Sequence, residues 1–174
     1  MTKQEITQLL EEKHQVLFDW LAKQPDDNWL KGPKEKWTTG QHIQHLVDSN
    51  KLLNKALSYP KFILKYKFGK RNRDIRDYQT VKENYYKKLK ISQEKATEFN
   101  KKLRTPSLAE KASLLTELKI QQKKLQYKTN KWKDTDLDNL LLPHPLMGRM
   151  VVREIIMWTA THVEGHTKTL IDKY

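Results

Sequence analysis

Hydrophobic residues recur every three or four positions along four long stretches of the chain, a spacing that places them on one face of an α-helix. This pattern predicts helices over residues 2–23, 38–58, 107–132 and 152–172. The first three begin with capping-box sequences, which mark helix starts: Thr2-Lys-Gln-Glu5, Thr38-Thr-Gly-Gln41 and Ser107-Leu-Ala-Glu110. No segment has the period-two alternation of a half-buried strand, so we expect no β-structure.

The last of these helices carries polar residues in its apolar stripe. Its predicted buried face is Val152, Ile155, Ile156, Thr159, His162, Val163, His166 and Leu170. Two histidines are therefore in line with core residues, and leucine would be the neutral choice at His162. This helix is therefore the first candidate to carry a functional site.

Four amphipathic helices joined by loops predict an all-α fold, an antiparallel four-helix bundle forming one domain over residues 1–174. Residues 134–142 are expected to form a turn and a short apolar run, and residues 144–148 a loop. Apolar residues make up 37% of the chain, and only 11 residues are Gly or Pro (5 and 6), which indicates a folded protein.

A basic segment connects the second and third core helices. Residues 59–79 alternate aromatic and basic side chains and are the least regular part of the pattern, and residues 78–98 are predicted to form a fully solvated helix. Basic and aromatic side chains together can bind nucleic acid by stacking and phosphate contact. They can equally pack over one end of a bundle with the lysine heads in water, which is the interpretation we favour.

Composition narrows the possible chemistry. The chain has no cysteine, so a metal must be held by His, Asp or Glu, and no cysteine can act as nucleophile. The net charge of +13 would suit binding to nucleic acid, a membrane surface or anionic substrates. Because the lysines are spread along the chain, we favour the interpretation that they only keep the helix surfaces solvated. Without an apolar signal core or membrane span, we expect a soluble cytoplasmic protein.

His162 and His166 are four residues apart, so their imidazoles lie one above the other on a helix and can share a metal ion. A third ligand must come from another element, and the remaining histidines are His14, His42, His45 and His144. By spacing alone the pair is a weak signal, because buried histidines often serve only to satisfy hydrogen bonds. We expect His14 on the flank of the first helix, with no special role.

Several short motifs, in order over about 130 residues from Trp37 to His166, strengthen the metal interpretation. Together they resemble the DinB-like superfamily, whose members are metal-binding four-helix bundles. The matching motifs are Trp37-Thr38 followed by His45-Leu46, then His144-Pro145-Leu146-Met147-Gly148, Arg153-Glu154 and His162-Val-Glu-Gly-His166.

The resemblance implies a ligand set of one histidine from the second helix and two from the last, here His45, His162 and His166. His42 is the rival to His45, but only His45 stands eight residues after Trp37 as in the family. The resemblance gives His144 a structural role or a place at the site entrance, and we favour packing. Asp48 and Glu154 are candidates to orient the ligands, although ordinary surface or capping roles are favoured for both.

Two features depart from the family pattern. Val151 stands where the family often has a Ser or Thr that caps the last helix, and valine cannot accept that hydrogen bond. The basic segment over residues 60–105 is longer than in the shortest family members, and it could roof the site or form a dimer surface.

The resemblance also implies a function. The expected cofactor is a divalent ion, Zn or Ni with Mn also suitable, which would activate a bound water or thiol in a metal-dependent hydrolase or thiol S-transferase. A low-molecular-weight thiol cosubstrate, a small anionic substrate and a homodimer are further expectations. Two alternatives stay open: a non-catalytic stress-related bundle with a vestigial site and, ranked last because no recognised motif is present, a nucleic-acid-binding module.

Overall fold

The structure is a computed structural model that describes residues 1–34, 36–92 and 103–174. The helices of this part are α1 (Lys3–Ala22), α2 (Thr39–Ala56), α3 (Lys61–Phe68), α4 (Tyr78–Ile91), α5 (Lys111–Lys131), α6 (Asp134–Asn139) and α7 (Val152–Lys173). Short 3-10 turns span Asp26–Leu30 and Leu108–Glu110, and two strands, β1 (Leu141–His144) and β2 (Gly148–Val151), form a hairpin.

The four long helices α1, α2, α5 and α7 form the predicted bundle. Helix α1 packs against α5 and α7, and α2 packs against the same two helices from the opposite side. Their facing surfaces carry leucine, isoleucine and valine at helical spacing, so each apolar stripe is removed from water by its two neighbours.

The buried residues show the direction of each helix. The starts of α1 and α7 share one half of the core with the ends of α2 and α5, represented by Ile6, Ile156, Leu53 and Leu125. The other half joins the opposite ends, through Leu17, Val163, Leu46 and Leu118. Helices α1 and α7 therefore run one way and α2 and α5 the other. The consecutive long helices α2 and α5 are parallel neighbours, and the chain between them must return along the bundle.

The expectation of no β-structure is wrong. Strands β1 and β2 pair antiparallel, with Leu142 opposite Met150 and Pro143 opposite Arg149. Leu142 and Met150 are buried, whereas Pro143 and Arg149 point to solvent. Each strand has only four residues, too few for the period-two alternation to stand out, and Gly148 (φ 72°) adopts the left-handed backbone that begins the return strand.

The described part of the basic segment, up to residue 92, is more regular and better packed than predicted. Helix α3 lies within residues 59–79, begins after Pro60 and ends at Gly69, whose φ of 83° suits glycine. Helix α4 is not fully solvated, because Val81 and Tyr85 are buried and the helix packs against α7. The part of the predicted 78–98 helix from residue 93 onward lies outside the described residues.

The helix ends follow the predicted capping in most places. Thr2, Thr38 and Ser107 each form a complete capping box, although the third opens the 3-10 turn that precedes α5. Val151 provides no side-chain cap to α7, as its chemistry predicts. The Val152 amide instead donates to the Leu140 carbonyl at 2.9 Å, which joins the helix start to the hairpin entrance. No helix within the described ranges combines the length and apolar character that crossing a bilayer needs.

Candidate metal centre

The antiparallel contact between α2 and α7 brings together the three histidines that the resemblance implied. His45 extends from α2, and His162 and His166 are one turn apart on α7. The Nε2 atom of His162 lies 2.9 Å from Nε2 of His45 and 3.0 Å from Nε2 of His166. Each histidine therefore points one ring nitrogen at a common position, and these three atoms all lie within 4.8 Å of one another.

This donor set fits a divalent metal ion. A neutral imidazole nitrogen has one in-plane position, so Nε2 of His162 cannot form good hydrogen bonds to two converging nitrogens at once. A cation between the three lone pairs satisfies all of them. Nitrogens bound to a tetrahedral zinc ion at about 2.0–2.1 Å lie about 3.3 Å apart. The separations from His162 to the other two rings, 2.9 and 3.0 Å, are within a few tenths of an ångström of that value, and the remaining pair, His45 and His166, lies within 4.8 Å.

The protonation of the cluster also suits metal binding. Burial lowers the pKa of His45 to about 4, and the nearby Asp48 carboxylate opposes that shift. Burial, with repulsion from neighbouring imidazoles, holds the pKa of His162 and His166 well below the ordinary histidine value. All three rings are thus neutral near pH 7, the state in which imidazole is a ligand.

Two tryptophans stack on rings of the cluster. The Trp37 indole stacks on His166, with ring centroids 5.8 Å apart and planes 6° from parallel. Trp158 stacks on His162 at 4.6 Å and 18°. Because His162 is buried while His45 and His166 are partly exposed, the cluster opens to solvent on the side of the latter two.

The sequence model of the DinB superfamily matches residues 8–170, nearly the whole chain. The chain belongs to the DinB superfamily. No curated protein and no solved structure matches it. Membership and the three-histidine cluster together describe a DinB-like bundle with a site fit for a metal ion.

The DinB turn His144-Pro-Leu-Met-Gly148 is a structural element next to the site. Nδ1 of His144 accepts hydrogen bonds from the backbone amides of Leu146 and Met147, both at 3.1 Å, and so closes the hairpin turn. Its ring meets Trp158 edge-on with centroids 4.2 Å apart. His144 therefore supports His162 through Trp158.

His42 is not one of the three converging ligands. Its Nδ1 lies 2.7 Å from Nδ1 of His166, on the side of that ring away from the cluster, and its Nε2 lies 3.2 Å from the Tyr174 hydroxyl. From the sequence His42 was expected only as a rival ligand to His45, and no role was predicted for Tyr174. One signal was available: His42 precedes His45 by three residues, which places both on neighbouring positions of one helix face.

The two carboxylates proposed as orienters lie in different surroundings. Asp48 is exposed and accepts a hydrogen bond from Gln44, and it acts on His45 through its charge. Glu154 is fully buried two turns before His162, where its carboxylate binds Arg73 and Arg76. Its observed partners make Glu154 an anchor for the basic segment.

The expectation that His14 lies on the flank of α1 is wrong. His14 is completely buried in the bundle, where Nδ1 donates to the Leu10 carbonyl at 2.7 Å and Nε2 faces the Asn50 amide at 3.4 Å. It is a core histidine whose two nitrogens are occupied, and it stays outside the three-histidine cluster. The four-residue step from Leu10 to His14 continues the apolar stripe of α1 and could have revealed this burial.

Proposed function

We propose that this protein is a DinB-like metal-dependent enzyme of the thiol S-transferase or hydrolase type, acting on a small, anionic substrate. The single observation that supports this is the convergence of three neutral imidazoles from His45, His162 and His166 at a position open on one side. A structural zinc site is normally closed by four protein ligands, whereas a catalytic one has three and leaves room for water or substrate.

Zn²⁺ and Ni²⁺ suit this imidazole set best, with Mn²⁺ also possible. Such an ion supplies Lewis acidity, which lowers the pKa of a water or thiol that binds to it. The protein supplies the neutral ligands and the tryptophans that fix two of the rings. No cysteine or other side-chain nucleophile is required, which suits a chain without cysteine.

Charge supports an anionic substrate. The net charge of +13 produces a positive field that raises the local concentration of anions and speeds their encounter with the protein. A low-molecular-weight thiol with carboxylate groups would benefit from this field, and a partly exposed metal would give its sulfur an open position. The effect predicts a reaction rate that falls as ionic strength rises.

The test is an activity comparison on untagged protein loaded with Zn²⁺, Ni²⁺ or Mn²⁺. One arm measures joining of a low-molecular-weight thiol to an electrophile, and the other measures hydrolysis of small ester and amide substrates. We expect metal-dependent turnover in one arm, a loss of at least about 100-fold in His162→Ala, and little change in His14→Asn, which keeps a side-chain donor for the Leu10 carbonyl. Turnover that is independent of metal, or equal in wild type and His162→Ala, would contradict the proposal.

A further inference from the structure

Three groups line up behind His166, on the side away from the converging nitrogens. Nδ1 of His166 meets Nδ1 of His42 at 2.7 Å, and Nε2 of His42 meets the hydroxyl of Tyr174 at 3.2 Å. The Tyr174 hydroxyl in turn donates to the backbone carbonyl of Trp37. This series links the segment before α2 to the end of α7 and passes through a metal-ligand candidate.

The position of every proton in the series follows from its last member. A carbonyl can only accept, so Tyr174 uses its single hydroxyl proton on Trp37 and must accept from His42. His42 therefore carries its proton on Nε2. A neutral imidazole with a proton on Nε2 has a lone pair on Nδ1, so His42 accepts from His166, which carries its proton on Nδ1.

The consequence appears at the other nitrogen of His166. With the proton on Nδ1, Nε2 has a free lone pair, and this is the atom that faces His162 at 3.0 Å. The opposite tautomer would place a proton at the position where a metal ion would bind. A hydrogen-bond partner behind a ligand histidine commonly sets which nitrogen binds the metal.

We propose that His42 and Tyr174 are positioning residues that hold His166 in its Nδ1-protonated tautomer, with the Trp37 carbonyl as the fixed end of the series. The inference rests on the proposed metal site. The series also fixes the plane of the His166 ring, which Trp37 covers from one face. His166 thus reaches its binding-competent state before the metal arrives, which reduces the cost of binding.

The first test reads the tautomer directly in metal-free protein. ¹⁵N NMR of histidine-labelled, chelator-treated wild type should show His166 with a protonated Nδ1 and an unprotonated Nε2. Tyr174→Phe removes only the hydroxyl, and we expect a mixture of His166 tautomers. Tyr127→Phe, at an exposed tyrosine on α5, is the matched control and should leave the spectrum unchanged. A wild-type His166 protonated on Nε2, or a single unchanged tautomer in Tyr174→Phe, would overturn the proposal.

The second test measures Zn²⁺ affinity by competition with a chromophoric chelator. Tyr174→Phe should bind Zn²⁺ about 10- to 100-fold more weakly than wild type or Tyr127→Phe, the range found when hydrogen-bond partners of ligands are removed. At position 42, asparagine retains a side-chain acceptor that alanine lacks, so His42→Asn should bind Zn²⁺ more tightly than His42→Ala. Unchanged affinity in Tyr174→Phe, or equal affinities for the two position-42 variants, would overturn it.

The two tests separate this inference from the proposed function. The NMR result concerns metal-free protein, so it is unaffected if the protein has no catalytic activity. A wild type that binds Zn²⁺ but turns over no substrate would contradict the enzyme proposal and leave the role of His42 and Tyr174 standing. A variant that has the wrong His166 tautomer but retains its activity would contradict the role of His42 and Tyr174 and leave the enzyme proposal standing.

Discussion

Glu154 is a buried carboxylate on α7 that ties the basic segment to the bundle. Its carboxylate accepts from the Arg73 guanidinium at 2.6 and 2.7 Å, and from the Arg76 guanidinium and backbone amide at 2.7 to 3.2 Å. Burial alone would raise the pKa of Glu154, but these hydrogen bonds outweigh it and lower the pKa to about 2. The carboxylate is therefore ionised throughout the neutral range.

Glu154→Gln should lower the free energy of unfolding at pH 7 by about 1–3 kcal/mol, because two arginines lose a charged acceptor. The loss is less than the roughly 3–5 kcal/mol of a fully buried pair, since the side chains of Arg73 and Arg76 remain 36% and 24% exposed. Urea unfolding measures the difference, with Glu83→Gln, at an exposed position, as control.

The same variant carries a pH signature. A lowered folded-state pKa stabilises the protein above the unfolded value, about 4.3 for glutamate, and that contribution disappears as pH falls toward the folded value of about 2. The difference in stability between wild type and Glu154→Gln should therefore shrink between pH 4 and pH 2. A difference that stays constant over this interval would show that the ion pairs are not its cause.

Individual site residues differ in how far the sequence predicted them. His45, His162 and His166 follow from their spacing and from the order of the family motifs. The role of His42 depends on which of its two nitrogens meets which neighbour, and Tyr174 enters only through the fold. Spacing places His42 on the same helix face as His45, but it does not show which nitrogen meets which neighbour or that Tyr174 lies beside them, so both roles were missed.

Helix α2 begins where Gly40 allows the Trp29 indole to lie against its first turn. A Cβ atom at Gly40 would be 2.9 Å from a ring carbon of Trp29 and 3.2 Å from its backbone oxygen. Trp29 is 1% exposed and cannot move aside easily, because its Nε1 donates to the Pro106 and Ser107 carbonyls at 3.2 and 3.0 Å. Trp29 thus links the loop before α2 to the residues that precede α5, and Gly40 leaves the space that its indole needs.

Gly40→Ala should destabilise the protein by about 1–3 kcal/mol through overpacking. The sign is informative, because glycine to alanine in an unhindered helix usually stabilises by about 0.5–1 kcal/mol. Thermal unfolding followed by circular dichroism measures the effect, and Ser49→Ala on the same helix is the control. A rise in melting temperature for Gly40→Ala would mean that Trp29 is not fixed as the structure has it.

Secondary-structure elements were predicted from the sequence where many residues repeat the same hydrophobic pattern. The four long helices have several turns of apolar stripe, and three have capping boxes, so their positions were predicted closely. Helix α4 has only Val81 and Tyr85 as a buried pair among its lysines, too little periodicity to predict its contact with α7. The hairpin failed for a similar reason, because each strand has only four residues.

The topology of the bundle determines which residues meet at the candidate site. Because α2 and α7 run antiparallel, positions 42 and 45 rise along one helix as 166 and 162 descend along the other. The parallel arrangement of α2 and α5 requires a long return connection, and α3 and α4 lie in that connection. The sequence predicted the bundle and, through the family, the three histidines that converge. It did not predict this direction of the helices, which depends on long-range packing.

Metal binding itself tests the central claim most directly. Untagged wild type, His45→Ala and His14→Asn are exposed to excess Zn²⁺, freed of unbound metal, and measured by elemental analysis against protein concentration. We predict about one zinc ion per chain in wild type and in His14→Asn, and little in His45→Ala, which retains only two of the three ligands. Wild type without zinc, or His45→Ala with as much zinc as wild type, would contradict the account.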